Sequence, residues 1–344
     1  MVDLIYPNAL NKGDTIGVFT PSFPAYKINP GLFDNGLKNL ESLGFKIKLG
    51  HLTENRSSEG YRSANGKKRA LEFMNLILDP DVKCLISTIG GKNSSSMLPF
   101  LDFDLIRKSR KIICGFSDVT SLHLAILKIS KLRTFYGPSV MCWFGEWPNG
   151  IEESTKSFLN AVMEHQSGER ELKPFKRWSN HKRSWENDDW KNKDRIWQPN
   201  EGWTAISEGV QDAPLFAFNL NTLVSTAGTP YFPHLDGQIL LLEEMDAPLS
   251  VQERHFRQLE FMGVFDKIKG LILSKPENFD QEGASFGYHD LVLEIIGKRS
   301  YPILGNFDCG HTVPMETIPQ GVRVHLNVNK QIGCQLKLLE SAFK

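Results

Sequence analysis

Runs of apolar and β-branched residues alternate with segments of helical apolar spacing from the first residues of the chain to Tyr136. Strands separated by helices in this way indicate a parallel sheet that is covered by helices on both faces. Ligands of parallel sheets bind at the carboxyl ends of the strands, so the loops after these strands are the first candidates for a functional site. The predicted strands are Asp14–Thr20, Phe45–Leu49, Cys84–Ile89 and Ile112–Phe116, and the predicted helices are Leu32–Leu43, Arg62–Leu78 and Leu101–Ile106.

Beyond Tyr136 the regular alternation fades. One more helix is predicted at Glu152–His165, and short strands with few helices follow from about Ala205. This pattern predicts a second, smaller α+β domain that is rich in strands. The predicted boundaries are residues 1–168 for the α/β domain, 169–204 for an interdomain loop and 205–344 for the second domain. The predicted strands of the second domain are Gly209–Phe218, Gln238–Leu242, Leu271–Leu273, Pro302–Phe307, Val322–Leu326 and Gln335–Leu339, and its predicted helices are Val251–Met262 and Asp290–Ile296.

The charge balance and the cysteine pattern exclude several classes of protein. Lys and Arg together number 40 and so do Asp and Glu, which leaves no basic excess for binding nucleic acid or a membrane surface. No apolar run is long enough to cross a bilayer, and the first residues lack the pattern of a signal peptide, so we expect a cytoplasmic protein. The five cysteines form no C-x-x-C pair, which is typical neither of a disulfide framework nor of a zinc site, and no metal or cofactor is expected.

The stretch KIICGFSDVTS, residues 111–121, predicts a strand, a sharp turn and a helix, with Ser117 at the turn. A serine in this position projects from the carboxyl edge of a sheet, beside the backbone N–H groups that begin the next helix. This is the arrangement of a nucleophilic serine, although the G-x-S-x-G pattern is absent. The alternative interpretation is that Ser117 or Asp118 only caps the helix.

A second candidate loop, Gly90-Gly91-Lys92-Asn93-Ser94, follows the predicted third strand. Glycine allows the backbone to approach a ligand closely or to take a positive φ. The spacing matches neither the P-loop nor the G-x-G-x-x-G pattern of nucleotide-binding proteins. Two interpretations remain open, a plain turn and a loop that offers a backbone N–H group to an oxyanion.

The segment Glu171–Trp203 is crowded with charged residues and asparagine, yet it contains five of the seven tryptophans, Trp178, Trp185, Trp190, Trp197 and Trp203. The charges are typical of a solvated linker, whereas large aromatic side chains usually dock against another surface. The tryptophans either pack on the two domains or form a lid and a stacking platform for a planar ligand. We interpret the segment as a long interdomain loop over the site.

A nucleophilic serine needs a base, and the base needs an acid that orients it. His311 follows a predicted strand in FDCGHTVP, and Glu243 ends the apolar run ILLLEE. The competing interpretations are a solvated turn histidine and an ordinary loop carboxylate. A hydrolase that uses Cys309 with His311 is disfavoured, because side chains two residues apart on a turn diverge.

Over almost its whole length the chain resembles the LD-carboxypeptidase family of serine peptidases. The motifs that carry the resemblance are GDTIGVFTPS, YRS, STIGG, LPFLDFDLI, GFSDVTSL, TFYGP, NLNTL, ILLLEE and DCGHTVPMETIPQG, in this order. Within the family the chain most resembles the microcin C immunity peptidases, because of the Gly-Gly-x-Asn-Ser loop and the tryptophan-bearing segment RWSNHKRSWEN. The resemblance implies a flavodoxin-like α/β domain joined to a smaller β-rich domain, usually in a homodimer.

The resemblance also implies roles for individual residues. It implies a catalytic triad of Ser117, Glu243 and His311, and an oxyanion hole formed by the backbone N–H groups of Gly91 and Asp118. The side chain of Asp118 is expected to cap the following helix. The expected substrate-binding residues are Trp185, which would stack on an adenine, together with Asn93, Ser94, Asn219 and Phe218.

Two substrates and one non-enzymatic function are compatible with these residues. The first substrate is an aminoacyl or peptidyl nucleotide of the microcin C type, cleaved between the acyl group and the nucleotide-like part. The second is the murein tetrapeptide, which would lose its terminal D-alanine, and the third alternative is a ligand-binding protein whose triad is idle. The family often has two glycines before NLNTL where this chain has Ala217-Phe218, so Phe218 is expected to narrow the pocket or to add an apolar wall.

Overall fold

The computed structural model describes residues 4–163, 168–246 and 248–343. Its strands are β1 (Thr15–Phe19), β2 (Lys46–Leu49), β3 (Val82–Ser87), β4 (Ile112–Gly115), β5 (Phe135–Tyr136), β6 (Arg170–Leu172), β7 (Arg177–Trp178), β8 (Gln198–Pro199), β9 (Thr204–Ser207), β10 (Gly209–Asn219), β11 (Ile239–Glu243), β12 (Gly270–Ser274), β13 (Ile303–Phe307), β14 (Ile318–Pro319), β15 (Val322–Asn329) and β16 (Gly333–Leu338). Its helices are α1 (Pro30–Ser42), α2 (His51–Glu54), α3 (Gly66–Leu78), α4 (Phe103–Ser109), α5 (Thr120–Ala125), α6 (Glu152–Val162), α7 (Asp189–Asn192), α8 (Leu220–Ser225), α9 (Leu249–Phe261), α10 (Val264–Lys267) and α11 (Tyr288–Ile296). Short 3-10 or π turns lie at Ala25–Lys27, Ser94–Phe100, Ser117–Val119, Ile126–Ser130 and Val140–Phe144.

The first sheet has the strand order of a flavodoxin-like fold. Strands β2, β1, β3, β4 and β5 lie side by side in that order and run parallel. The register places Ile16 beside Cys84 and Cys84 beside Ile112, and all three side chains are fully buried. Apolar residues on both faces of the central strands fit a sheet covered on both sides, so the predicted α/β fold is confirmed.

Side-chain caps fix the starts of helices α1 and α3, and both starts differ from the predicted ones. Helix α1 begins earlier than predicted, because the Asn29 side chain accepts a hydrogen bond from the backbone N–H of Leu32 and a proline occupies the first helical position. Helix α3 begins at Gly66 rather than at Arg62, because Asn65 is the residue whose side chain caps it. The last two residues of the predicted Glu152–His165 helix lie outside the described residues.

The second sheet has eight strands in the order β6-β16-β15-β10-β11-β12-β13-β9. Strands β10 to β13 are parallel, whereas the strands on either side of them are antiparallel. Phe256 of α9 and Leu291 of α11 are buried in one apolar cluster with Leu242 of β11. This unit is rich in strands, as expected, but its centre repeats the parallel arrangement of the first sheet. Strand β6 lies in the segment interpreted as a loop, and its Leu172 pairs with Leu336.

The two sheets are connected at the edge where the first one ends. Strand β14 belongs to the second half of the chain but joins the first sheet, where it pairs with β5 and places Ile318 beside Tyr136. The backbone N–H of Asn219, at the end of β10, donates to the Thr120 hydroxyl at the start of α5, at 3.1 Å. The carboxyl ends of strands from both sheets therefore meet in one place. Within the described ranges, no helix is both long and apolar enough to cross a membrane.

Candidate active site

Ser117 occupies a strained turn at the carboxyl end of β4. Its φ is +59°, in the left-handed region that residues other than glycine rarely adopt. Gly115 permits the turn, because a Cβ atom there would lie 2.8 Å from the Ser87 hydroxyl and 2.9 Å from a methyl group of Val119. The side chains of Ser117 and Asp118 do not cap the helical turns that follow. The interpretation of this stretch as a simple helix cap is therefore wrong.

His311 bridges Ser117 and Glu243. Its Nε2 lies 3.1 Å from Oγ of Ser117, and its Nδ1 lies 2.6 Å from Oε2 of Glu243. Burial alone lowers the pKa of His311, but the hydrogen bond to Glu243 and the charges of Glu243, Glu277 and Glu244 together outweigh burial. The pKa is therefore raised above the ordinary 6.5. A buried imidazole between a hydroxyl and a carboxylate can accept the hydroxyl proton and is stabilised when it becomes charged.

The second oxygen of Glu243 is also bound. Oε1 accepts hydrogen bonds from the Tyr136 hydroxyl at 2.5 Å and from the Asn219 side chain at 3.0 Å. Asn219 and Glu243 are register partners at the ends of β10 and β11, which explains why the two side chains meet. Asn219 was predicted to bind substrate, whereas the structure places its amide against Glu243, where it fixes the carboxylate.

The Gly90–Ser94 loop is held against the Ser117 turn by the side chain of Asp118. Its Oδ2 accepts hydrogen bonds from the backbone N–H groups of Asn93 and Ser94, each at 2.9 Å, and the Ser94 hydroxyl donates to the Asp118 carbonyl at 2.5 Å. Asp118 thus anchors the loop. The prediction that its side chain caps the following helix is wrong. The expected substrate contacts Asn93 and Ser94 have their backbone donors engaged in this anchor.

The two glycines of this loop allow it to approach the Ser117 turn. A Cβ atom on Gly90 would lie 3.1 Å from Oγ of Ser117 and 3.2 Å from the backbone nitrogen of Asp118. Gly91 has φ +150°, and a Cβ atom there would clash with the Ser22 side chain. The Ser22 hydroxyl accepts hydrogen bonds from the backbone N–H groups of Lys92 and Asn93, both at 3.1 Å. The loop geometry therefore requires glycine at position 91 and leaves little room for a side chain at position 90.

A cavity of about 530 Å³ opens in front of Ser117 and His311. Gly90 and Gly91 line it on one side, and the tryptophan-bearing segment lines it on another through Trp185. That segment is fixed, because Arg183 and Arg195 both form ion pairs with Glu146 and because the Asn29 side chain donates to the Trp185 carbonyl at 3.1 Å. Trp185, the tryptophan predicted to contact the ligand, therefore lies in the wall of this cavity.

Two other predictions from the sequence do not fit the structure. Phe218 is fully buried and stacks on Phe216 in the apolar core of the second sheet, so it lies in the core rather than in the cavity wall. Cys309 is fully buried as well, and burial raises the pKa of its thiol well above the ordinary 9.0. A buried protonated thiol is a poor nucleophile, which argues against a hydrolase based on Cys309.

Sequence reasoning missed two residues of this region, Tyr136 and Glu277. Tyr136 lies in the TFYGP motif at the end of β5, and its position at a strand end was the available signal. Glu277 follows β12 and lines the cavity, although only 7% of it is exposed. No sequence pattern marks Glu277, because it reaches the site through the pairing of its backbone with Met245.

Comparison with models of protein families identifies the family of this chain. Models of the LD-carboxypeptidase N-terminal domain and the LD-carboxypeptidase C-terminal domain match residues 16–137 and 212–326, which together make up more than half of the chain. The chain belongs to the LD-carboxypeptidase family. It is a serine-type carboxypeptidase and therefore a hydrolase by family.

Two similar proteins and one solved structure extend this result. The microcin C7 self-immunity protein MccF of Escherichia coli is 37% identical over 330 residues, which cover 94% of this chain and 94% of that protein. A protein of Vibrio cholerae that is named as a carboxypeptidase is 37% identical over 321 residues, 93% of this chain and 94% of that protein. The structure of MccF in complex with aspartyl sulfamoyl adenosine superposes with a TM-score of 0.92 and 33% identity, and the match covers 99% of this chain and 100% of that chain.

Proposed function

We propose that this peptidase hydrolyses the amide-type bond between an aminoacyl or peptidyl group and a nucleotide-like moiety, with Ser117, His311 and Glu243 as its catalytic triad. The observation that carries the proposal is the hydrogen-bonded series from Ser117 through His311 to Glu243 at the mouth of a cavity that Trp185 lines. The complex of MccF with aspartyl sulfamoyl adenosine supports this substrate class, because that ligand joins an aminoacyl group to a nucleoside.

In the proposed mechanism, His311 takes the proton of Ser117 as the hydroxyl oxygen attacks the carbonyl carbon of the acyl group. Glu243 holds the imidazole in the required tautomer and stabilises the imidazolium that forms. His311 then gives the proton to the departing nitrogen, the acyl group remains on Ser117, and a water molecule releases it in a second, equivalent step.

We further propose that the backbone N–H groups of Gly91 and Asp118 stabilise the oxyanion of this reaction. The positions of both groups support the assignment, because the Gly90-Gly91 loop lies directly against the Ser117 turn. The N–H of Ser117 itself is engaged, since it donates to the Tyr136 hydroxyl at 3.1 Å. The loss of one such donor typically lowers turnover by about 10²–10³-fold.

The cavity provides a place for the leaving group. Trp185 offers a flat apolar surface on which a purine can stack, an interaction worth about 1–3 kcal/mol per base in other proteins. Apolar residues such as Phe23 and Val313 line the same cavity. We infer that the nucleotide-like part occupies the Trp185 side, while the acyl group lies beside His311.

The deciding experiment is a paired hydrolysis assay with wild-type protein and Ser117→Ala. One substrate is aspartyl or glutamyl sulfamoyl adenosine, and the other is a murein tetrapeptide that ends in D-alanine. The proposal predicts that the wild type alone cleaves the adenosine compound. Release of D-alanine without cleavage of the adenosine compound would instead assign the enzyme to cell-wall peptides. A homodimer, a cytoplasmic location and the domain boundaries at residues 168 and 204 remain predictions, and light scattering of the purified protein tests the first of them.

A further inference from the structure

Four carboxylates lie close together where β11 and β12 end, and three of them have partners. Glu243 binds His311, Tyr136 and Asn219, as described above. Glu244 accepts hydrogen bonds from the side chain of Asn219 and from the backbone N–H groups of Asn221 and Met245, at 3.2, 2.8 and 3.1 Å. Their hydrogen-bonding capacity is therefore used within the protein.

Asp246, the third carboxylate, is equally occupied. Lys182 donates to both of its oxygens, at 3.1 and 2.9 Å, and the Asn278 side chain donates to Oδ1 at 2.7 Å. Lys182 belongs to the tryptophan-bearing segment and lies near these carboxylates. Its ammonium group is paired with Asp246. It does not reach Glu277 within hydrogen-bonding distance.

Glu277, the fourth carboxylate, has no such partner. Among the described residues, none donates a hydrogen bond to its carboxylate or forms an ion pair with it, although the residue is only 7% exposed. Its backbone is fixed, because it pairs with Met245 and its carbonyl accepts a hydrogen bond of 3.1 Å from Asp246. Burial raises the pKa of Glu277, although the nearby charges of His311 and Lys182 act in the opposite direction.

Buried carboxylates in proteins are almost always paired, because an unpaired buried charge is costly. Glu277 lines the same cavity as Ser117, His311 and Met245, so a ligand in that cavity can supply the missing partner. In an aminoacyl substrate the α-ammonium group is attached to the carbon next to the scissile carbonyl. When that carbonyl is at Ser117, the ammonium group must lie in the part of the cavity near the triad.

We propose that the Glu277 carboxylate binds the α-ammonium group of the aminoacyl substrate and so selects for substrates with a free amino group beside the scissile carbonyl. This assignment rests on the proposed function, since it needs an aminoacyl substrate in this cavity. Glu277 would contribute to binding and orientation of the acyl group, and the proton transfers would remain with His311. A hydrogen bond between two charged groups contributes enough to change kcat/KM by about 10- to 100-fold.

The test combines one substitution with one change in the substrate. Glu277→Gln keeps the shape of the side chain and removes its charge, and a desamino substrate, succinyl sulfamoyl adenosine, keeps the shape of aspartyl sulfamoyl adenosine and lacks the ammonium group. Glu277→Gln is expected to lower kcat/KM for the aspartyl compound by about 10- to 100-fold and to change kcat/KM for the succinyl compound by less than about threefold. Glu277→Asp, which keeps the charge, is expected to recover part of the loss.

Two controls separate the possible outcomes. Glu253→Gln removes an exposed carboxylate on α9 and should leave both rates unchanged, and the melting temperature of Glu277→Gln should be no lower than that of the wild type, because an unpaired buried charge has been removed. An equal loss of activity on both substrates would overturn the assignment, since a general effect on His311 or on the fold does not depend on the ammonium group. Wild-type protein that cleaves neither substrate would refute the proposed function itself.

Discussion

The Tyr136 hydroxyl donates a hydrogen bond of 2.5 Å to Oε1 of Glu243. The same hydroxyl accepts a hydrogen bond of 3.1 Å from the backbone N–H of Ser117. Tyr136 therefore links the serine turn on the first sheet to the carboxylate on the second sheet. Because the hydroxyl can donate only one proton, its bond to Glu243 fixes its orientation and leaves its lone pairs for the N–H of Ser117.

Tyr136→Phe should lower kcat while leaving KM nearly unchanged, because it removes both hydrogen bonds without removing the ring. We expect a decrease of about 10- to 100-fold, the range that corresponds to one hydrogen bond to a charged group. The matched control is Tyr26→Phe. Tyr26 is also fully buried, and its hydroxyl donates to the Ser57 carbonyl at 2.6 Å, away from the cavity. Equal activity losses in the two variants would show that the effect of Tyr136 is general destabilisation.

Replacement of Ser117 should separate catalysis from backbone strain. Ser117→Ala and Ser117→Gly should both lose activity, but the glycine variant should be more stable to urea by about 1 kcal/mol, because glycine adopts a positive φ without a steric cost. At Ser121, within helix α5, the order should reverse, since glycine is about 1 kcal/mol less favourable than alanine in a helix. The same order of stability at both positions would contradict the strained turn.

The pH dependence of hydrolysis should report on His311. The base is active when neutral, so kcat/KM should rise with pH through a pKa above 6.5. Glu243→Gln removes the charge that raises this pKa, so the rise should move to lower pH while the maximum rate falls. The carboxylates of Glu277 and Glu244 also raise the pKa of His311 and remain in that variant. A profile that stays in place in Glu243→Gln would mean that another group controls the rate.

The same pKa shift has a consequence for stability. Because the pKa of His311 is raised in the folded protein, the imidazolium–Glu243 pair stabilises the fold fully at pH values below the ordinary 6.5. This contribution should be lost as the pH rises through the higher folded-state pKa. Urea unfolding of wild type and His311→Gln across this range measures it, and parallel stability curves for the two proteins would refute it.

Asp118 should affect turnover because it anchors the Gly90–Ser94 loop. Asp118→Ala frees the backbone N–H groups of Asn93 and Ser94, so the Gly91 N–H is no longer held in position. We expect turnover to fall by about 10- to 100-fold, comparable to the partial loss of one oxyanion donor. Asp102→Ala is the matched control, because Asp102 also accepts hydrogen bonds from two backbone N–H groups, those of Asp104 and Leu105. That variant should lose about 1 kcal/mol of stability and keep its turnover.

Trp185→Ala should weaken binding of the nucleotide-like part. If a purine stacks on this ring, KM for aspartyl sulfamoyl adenosine should rise by about 5- to 100-fold, whereas kcat should change little. Trp147→Ala is the control, because Trp147 is half-exposed and packs on Trp190 rather than lining the cavity. An unchanged KM in Trp185→Ala would show that Trp185 only packs against the protein.

Local patterns in the sequence predict part of the site. The apolar run ILLLEE ends at Glu243, and the structure ends β11 at the same residue. Ser117 follows β4 in the same way, and His311 lies in the loop after β13. Strand ends are visible in the sequence because an apolar run stops at a polar residue or a glycine, which is a property of neighbouring residues. For this reason the three residues could be selected as candidates, whereas their roles as a triad were implied by the family resemblance.

Other parts of the site depend on contacts between distant segments. Asn219 and Phe218 are adjacent in the chain and were both expected at the substrate, yet one fixes Glu243 and the other lies in the core. The alternation of side chains along a strand places neighbours on opposite faces, and which face meets the cavity depends on the packing of the sheet. The role of Asp118 as the anchor of a loop could not be predicted either, because it depends on contacts with residues that lie 24–25 positions away in the chain.

The sequence by itself determined the alternation of strands and helices in the first half of the chain, the sharp turn at Ser117 and the family motifs, because these depend on residues that are neighbours in the chain. Only the tertiary structure brought Ser117 to His311 across 194 positions and placed Tyr136 between Ser117 and Glu243. It also left Glu277 as the buried carboxylate without a partner among the described residues. Such features arise when two sheets meet at their carboxyl edges, and the free energy that holds them there comes from burying apolar side chains that are far apart in the sequence.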